Sequence, residues 1–204
     1  MKSPFVAGSA PEGRDREIKP PGPVSPAWLE RAALHYLERY SASTDMLRRT
    51  LARRVQKRAR ARGEDPERFA DLVTATVARA VSAGLVDDAR FADTRLATLR
   101  RRGTSTRGVS AKLAAKGIPR DVVEAAMLAE RDALPDGEAD AIEEQAAQAY
   151  AKRRRLGPYR RPDQRATHRD RDLAALARAG FAYGLARRVV DREPDESGEP
   201  DAPA

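Results

Sequence analysis

The stretch GLVDDARFADTRLATLRRRGTSTRGVSAKLAAKGI, from Gly84 to Ile118, decides the fold. Gly84 and Gly117 each close an apolar helical pattern, and each is followed by an apolar residue, Leu85 and Ile118. That is the sequence form of a Schellman stop, in which glycine takes a left-handed conformation and the next apolar side chain folds back onto the helix just ended. Asp87 and Asp88 follow the first stop, and either carboxylate can accept the orphan N–H groups of a new helix and complement its positive end. Phe91, Ala92, Leu96 and Leu99 then recur at helical spacing, with Arg100 and Arg101 pointing outward, until Gly103 interrupts. A shorter helix from Ser105 to Lys116 uses Val109 and Leu113, and a third from Pro119 uses Val122, Val123 and Ala126. The stretch thus spells one unit of three short helices separated by tight turns.

The same unit is legible on both sides. Upstream, Ser25-Pro26 makes a helix start, and Leu29, Ala32, Ala33, Tyr36, Leu37 and Tyr40 share one face. A second helix begins at Thr44-Asp45 and carries Leu47, Leu51, Val55 and Ala59 on one stripe. At roughly 100° per residue, Arg49, Arg53, Lys57 and Arg60 fall on the opposite side. Gly63 ends it, and Asp65-Pro66 caps a third helix with Phe69, Leu72, Val73, Thr76, Val77, Ala80 and Val81 inward. Downstream, ALPDGE at 133–138 reads as a hinge-like break. A helix through Ala139, Ile142, Ala146, Ala149 and Tyr150 then runs into KRRRLGPYRRPD, which Gly157, Pro158 and Pro162 interrupt. At one constant offset, Leu113, Gly117, Ile118, Val122 and Ala126 align with Leu176, Gly180, Phe181, Leu185 and Val189.

The expected fold is therefore all-α: tandem three-helix repeats over 26–86, 87–132 and 133–192, forming an elongated, curved array. One globular bundle of nine helices is the alternative that this repetition disfavours. Residues 1–25, rich in proline and glycine with no apolar period, and residues 193–204, acidic and rich in proline, are expected to be disordered tails.

Composition narrows the function. There is no apolar run of about eighteen residues and no signal-peptide pattern at the N-terminus, so a soluble cytoplasmic protein is expected. The chain has no cysteine and only His35 and His168 as imidazoles, so no metal site, and no cofactor, is expected. The formal charge is +8, and it is segregated. Residues 44–62 hold eight basic residues and one acid, 90–116 hold eight and one, and 150–171 hold nine and two. Bias of composition alone does not produce such clustering, which points to a polyanionic or acidic partner.

No constellation for catalysis emerges. Adjacent carboxylates at a helix start, such as Asp87 and Asp88, do not aim at one point, so both read as caps rather than as an acid/base pair. GTSTRG at 103–108 lacks the Gly-Lys-Ser/Thr ending and the preceding strand of a phosphate loop, and reads as a turn and cap. KRRRLGPYRR at 152–161 reads as a polybasic loop, either solvated and mobile or in contact with a polyanion. A non-enzymatic binding protein is expected.

The block GLVDDARFA, the basic RRRG at helical distance from it, and the stops KGI and AGF resemble the RecX family of recombinase regulators over residues 27 to 192. The resemblance implies tandem three-helix repeats and a modulator that lies in the groove of the RecA filament on single-stranded DNA, bridges neighbouring protomers, and inhibits ATP hydrolysis and strand exchange. It brings no catalytic residues. The partner-contact candidates are then Arg49, Arg53, Lys57, Arg60, Arg100, Arg101, Arg107, Lys112, Lys152 and Arg155. A monomer is expected, binding single-stranded DNA weakly and without sequence preference, because the basic segments carry few aromatics to stack on bases. Ala179, where a basic counterpart of Lys116 is expected, implies a weaker contact in the third unit. A helix-turn-helix transcription regulator is the alternative, since short helices with basic faces describe that class too.

Overall fold

The computed structural model describes residues 21–135 and 139–193, and among these the regular structure is entirely helical. The order is α1 (Pro26–Leu37), α2 (Thr44–Arg60), α3 (Ala70–Ser82), α4 (Asp88–Arg101), α5 (Thr106–Ala114), α6 (Arg120–Asp132), α7 (Ala139–Arg154), α8 (Pro162–Arg178) and α9 (Tyr183–Val190). Short 3-10 turns at Pro66–Phe69 and Gly157–Tyr159 precede α3 and α8. Side-chain caps open the helices where Ser, or Asp, precedes the first turn. The Ser25 hydroxyl accepts the Trp28 N–H, and an Asp87 oxygen accepts the Arg90 N–H. No described helix is long and apolar enough to cross a membrane.

Both glycine stops of the central stretch are made. Gly84 and Gly117 have φ of 69° and 74°, and the residue after each donates its N–H back across the stop, Leu85 to Ala80 and Ile118 to Leu113. Ile118 also folds back and is buried, but Leu85 remains 47% exposed and Val86 enters the core in its place. Tyr40 and Val81, expected inward, are exposed, Tyr40 because α1 has already ended.

Three separate apolar clusters hold the helices in triplets. Leu29, Leu47, Leu51, Val55, Val73 and Val77 centre the first, from α1 to α3. Leu96, Leu99, Val109, Leu113, Ile118 and Val123 centre the second, from α4 to α6. Ala147, Ala151, Leu173, Leu176, Phe181 and Val189 centre the third, from α7 to α9. The chain is an all-α helical repeat. Order begins upstream of the expected start at 26: Val24 is buried in the first cluster, while the Pro21 and Gly22 carbonyls accept from Arg62 and Arg58. The remainder of the expected tails, 1–20 and 194–204, and 136–138 of the expected hinge lie outside the described residues.

The triplets are joined through their middle helices. The Ser43 hydroxyl accepts the Met46 N–H at the start of α2 and donates to the carbonyl of Lys116, just beyond the end of α5. Ser105 repeats the arrangement, accepting the Gly108 N–H of α5 and donating to the carbonyl of Ala179 beyond α8 at 2.6 Å. Positive helix ends thus meet negative ones, a favourable alignment of partial charges. A second bond repeats beside the first. The Thr44 N–H donates to Asp88 of α4 at 2.8 Å, and the Thr106 N–H donates to Glu143 of α7 at 2.9 Å. A Cβ on Gly117 would lie 2.3 Å from Asp45, and one on Gly180 2.7 Å from the Ser105 hydroxyl, so only glycine fits either joint. Because a backbone carbonyl accepts at each joint, Ala179 serves there as well as Lys116.

Candidate functional site

The site begins with α2, whose helical period sorts its side chains into two sets. Leu47, Leu51, Val55 and Ala59 are buried, and Arg49, Arg53, Lys57 and Arg60 are all exposed on the other side. Arg49 forms an ion pair with Asp45 at 2.5 Å, and Arg53 donates to the Thr50 hydroxyl. Among the described residues Lys57 and Arg60 have no ion-pair partner, so their charge faces solvent. Of the remaining basic residues of the segment, Arg48 is exposed and pairs with Asp45 at 3.5 Å, and the other three are committed to the fold. Arg54 donates to the Ala32 carbonyl of α1 at 2.9 Å, Arg58 lies 4.5 Å from the Trp28 ring centre, and Arg62 bonds Glu64. The basic rod expected from the sequence is therefore a basic face plus a set of internal ties.

In the second triplet the candidates divide sharply. Arg101, Arg107 and Lys112 are exposed. Arg100, expected to point outward, does not: its side chain is 12% exposed and its guanidinium bonds Glu130 of α6, Glu143 of α7, the Thr104 carbonyl and the Thr106 hydroxyl. One residue, about 100° around α4, separates it from Arg101, enough to carry it from solvent to the seam between triplets. Arg100 is a structural tie, and a partner would have to break charge-assisted bonds to reach it.

In the third triplet Lys152 and Arg155 are exposed. Arg155 has φ of 53°, taking at the end of α7 the stop position that glycine fills elsewhere, while Leu156 folds back and is buried. The polybasic loop is pinned rather than mobile. Asp172 of α8, 1% exposed at its side chain, accepts the Gly157 N–H at 2.8 Å and both arms of Arg160 at 2.7 and 3.1 Å. Burial alone pushes the Asp172 carboxyl up. Bonds from Arg160 and from Gly157, with the charges of Arg160 and His168, outweigh that and hold it below the usual carboxylate range. Arg160 is raised in turn by its bond to Asp172. Arg165 adds bonds to the Pro158 and Arg160 carbonyls, and Arg153 and Arg154 lie 5.7 and 5.9 Å from the Tyr150 ring centre.

Of the acidic pair, Asp87 caps its own helix as expected, but Asp88 reaches across to α2. Its counterpart Glu143 and the buried Asp172 are not marked in the sequence, and neither are the bonds that Ser43 and Ser105 make to the next triplet. His35 is exposed, and His168 pairs its Nδ1 with the Gln164 carbonyl. Among the described residues no group of three or more His, Cys, Asp or Glu is placed to hold a metal.

Comparison with known proteins agrees with this architecture. The family signature described as the second three-helix domain of RecX matches residues 87–127, which span α4, α5 and most of α6. The regulatory protein RecX of Myxococcus xanthus is 42% identical over 188 residues, covering 92% of this chain and 97% of its own. Proteins of the same name are 27% identical over 84% of the chain in Agrobacterium fabrum and 33% identical over 63% in Thermobifida fusca, covering 86% and 64% of those proteins.

Proposed function

The chain belongs to the RecX family of regulatory proteins, and from that premise we propose that it binds the RecA filament on single-stranded DNA and inhibits its ATPase and recombinase activity, in the control of DNA repair. The observation that carries this reading is the exposed face of α2, where Arg49, Arg53, Lys57 and Arg60 stand clear of the buried Leu47, Leu51 and Val55. Exposed cations with little internal pairing interact favourably with a polyanion and steer its approach, and they contribute little to stability. Arg101, Arg107, Lys112, Lys152 and Arg155 extend the same charge to the other triplets. The protein acts as a monomer in the cytoplasm, as a regulator rather than an enzyme. Its own contact with single-stranded DNA is weak, tolerant of sequence and steeply dependent on salt. The spread of charge over three triplets favours a long filament surface over the single recognition helix of a transcription regulator. The test is the ATPase rate of RecA on single-stranded DNA with and without this protein. Inhibition saturating at less than one regulator per RecA protomer is the expected result, and an unchanged rate at tenfold excess sinks the reading.

A further inference from the structure

We propose that the third triplet carries the contact with single-stranded DNA, its phosphates met by Lys152, Arg153, Arg154 and Arg155 at the end of α7 and one of its bases stacked on Tyr159. This deepens the reading above and rests on it for the choice of DNA.

Uncompensated charge marks the place. From Gln145 to Pro162 the chain has six basic residues and no acid. Two of the six are engaged, Arg160 by Asp172 and Arg161 by Asp163 at 3.8 Å. Lys152, Arg153, Arg154 and Arg155 are all exposed, and among the described residues no carboxylate is ion-paired to any of them. Glu193 is exposed and not far off, since a Cβ on Gly157 would meet Val190, but it is one acid against four cations. The negative end of α7 offsets only about half a charge more.

An aromatic face selects the ligand. Of the three basic segments, 44–62 has no Phe, Tyr or Trp, and Phe91 of 90–116 is half-buried against the second cluster. Within 150–171, Tyr150 tilts against Phe181, whereas Tyr159 is 38% exposed and stands four residues from Arg155. A base can stack on such a ring only when its strand is unpaired, so exposed cations beside an exposed tyrosine suit single-stranded rather than duplex DNA. The backbone on either side of the ring is already fixed. Asp172 holds Gly157 and Arg160, and Arg165 holds the Pro158 and Arg160 carbonyls. Little of the binding energy is then lost to ordering the loop.

Fluorescence anisotropy of a labelled oligo(dT) of about 16 nucleotides tests this. At ~0.1 M salt, charges more than about 10 Å away are largely screened. Lys152→Gln/Arg153→Gln/Arg154→Gln should weaken binding about thirtyfold and flatten the plot of log Kd against log salt by about 2, the value for three phosphates of a single strand. Tyr159→Ala should weaken it about tenfold at unchanged slope, while Tyr159→Phe binds like the parent. On heparin, a polyanion without bases, Tyr159→Ala should match the parent and the triple variant should not. Arg31→Gln/Arg39→Gln/Arg68→Gln removes three exposed charges elsewhere and should bind oligo(dT) within about twofold of the parent. All these side chains are exposed, so helical circular dichroism and melting should match the parent within a few degrees. Parent-like oligo(dT) binding by the first triple variant or by Tyr159→Ala overturns the proposal. So does an equal loss in the control triple variant, an equal loss of Tyr159→Ala on heparin, or a parent that does not bind oligo(dT). RecA is absent from these titrations. A parent that binds oligo(dT) through this surface yet leaves the RecA ATPase unchanged loses only the RecA reading. One that inhibits RecA although both variants bind oligo(dT) normally loses only this surface.

Discussion

Ser105 donates its hydroxyl hydrogen to the Ala179 carbonyl at 2.6 Å while accepting the Gly108 N–H, so one fully buried oxygen both caps α5 and fastens it to the end of α8. Ser105→Ala removes the cap, worth about 1 kcal/mol, and leaves a carbonyl without its donor, worth about 1–3 kcal/mol. We expect a loss of about 2–3 kcal/mol in urea unfolding, with faster hydrogen exchange at the Gly108 amide. A loss below about 0.5 kcal/mol means that the hydroxyl is not needed at the joint.

Such joints explain what the sequence does and does not disclose. Glycine stops, helix caps and the Leu47–Leu51–Val55 seam are local, written within one or two helical turns, and the structure keeps them. Asp88 and Glu143 act between triplets, on amides 44 and 37 residues away, and nothing in their own helices marks them. Asp172 hides in the same way: among THRDRD it resembles its exposed neighbours, yet it alone turns inward to hold Gly157 and Arg160. Helical period reads exposure well on α2, whose residues face one cluster. It fails at Arg100, because the period cannot show that a second triplet closes over the outer side of α4.

Arg100 and Arg101 should therefore part company on mutation. Arg100→Gln leaves Glu130 and Glu143 facing each other without their shared cation, and loss of a partly buried ion network costs about 2–4 kcal/mol. Arg101→Gln, on an exposed side chain, should stay within about 0.5 kcal/mol of the parent. Thermal unfolding of the two variants decides the matter, and equal melting temperatures would remove Arg100 from the joint.

Asp172 gives the third triplet an acid-sensitive latch. Its carboxyl is held below its usual value in the folded chain, so the stabilisation is present above the unfolded value, near about 3.9. It is lost as pH falls through that value towards the lower folded one. Asp191, held low chiefly by its bond to Arg169, adds in the same direction from an exposed site. Asp172→Asn should cost about 3 kcal/mol at pH 7 and flatten the decline in stability below about pH 4. Urea midpoints measured from pH 7 down to pH 3 provide the check. A variant whose midpoint falls as steeply as the parent's places the acid sensitivity elsewhere.

If the basic face of α2 makes the proposed contact, regulation and folding can be separated there. Arg49, Arg53, Lys57 and Arg60 are exposed, whereas Arg54 and Arg58 on the same helix hold α1 and the Gly22 carbonyl. Replacing the first four with glutamine keeps helix propensity nearly unchanged and removes four charges. Some packing of their stems on apolar surface is lost, so modest destabilisation is expected. The variant should retain its helical circular dichroism and melt within a few degrees of the parent, yet lose most inhibition of the RecA ATPase at physiological salt. Leu51→Asp reverses the order of events: an unpaired carboxylate in the first cluster unfolds that triplet before contact arises. Arg54→Gln and Arg58→Gln supply the matched control, costing stability through lost ties while leaving the exposed face intact. Should the quadruple variant inhibit as well as the parent, this face is only solvated surface, and the contact must be sought at Arg101, Arg107 and Lys112, since Arg100 is already engaged by Glu130 and Glu143.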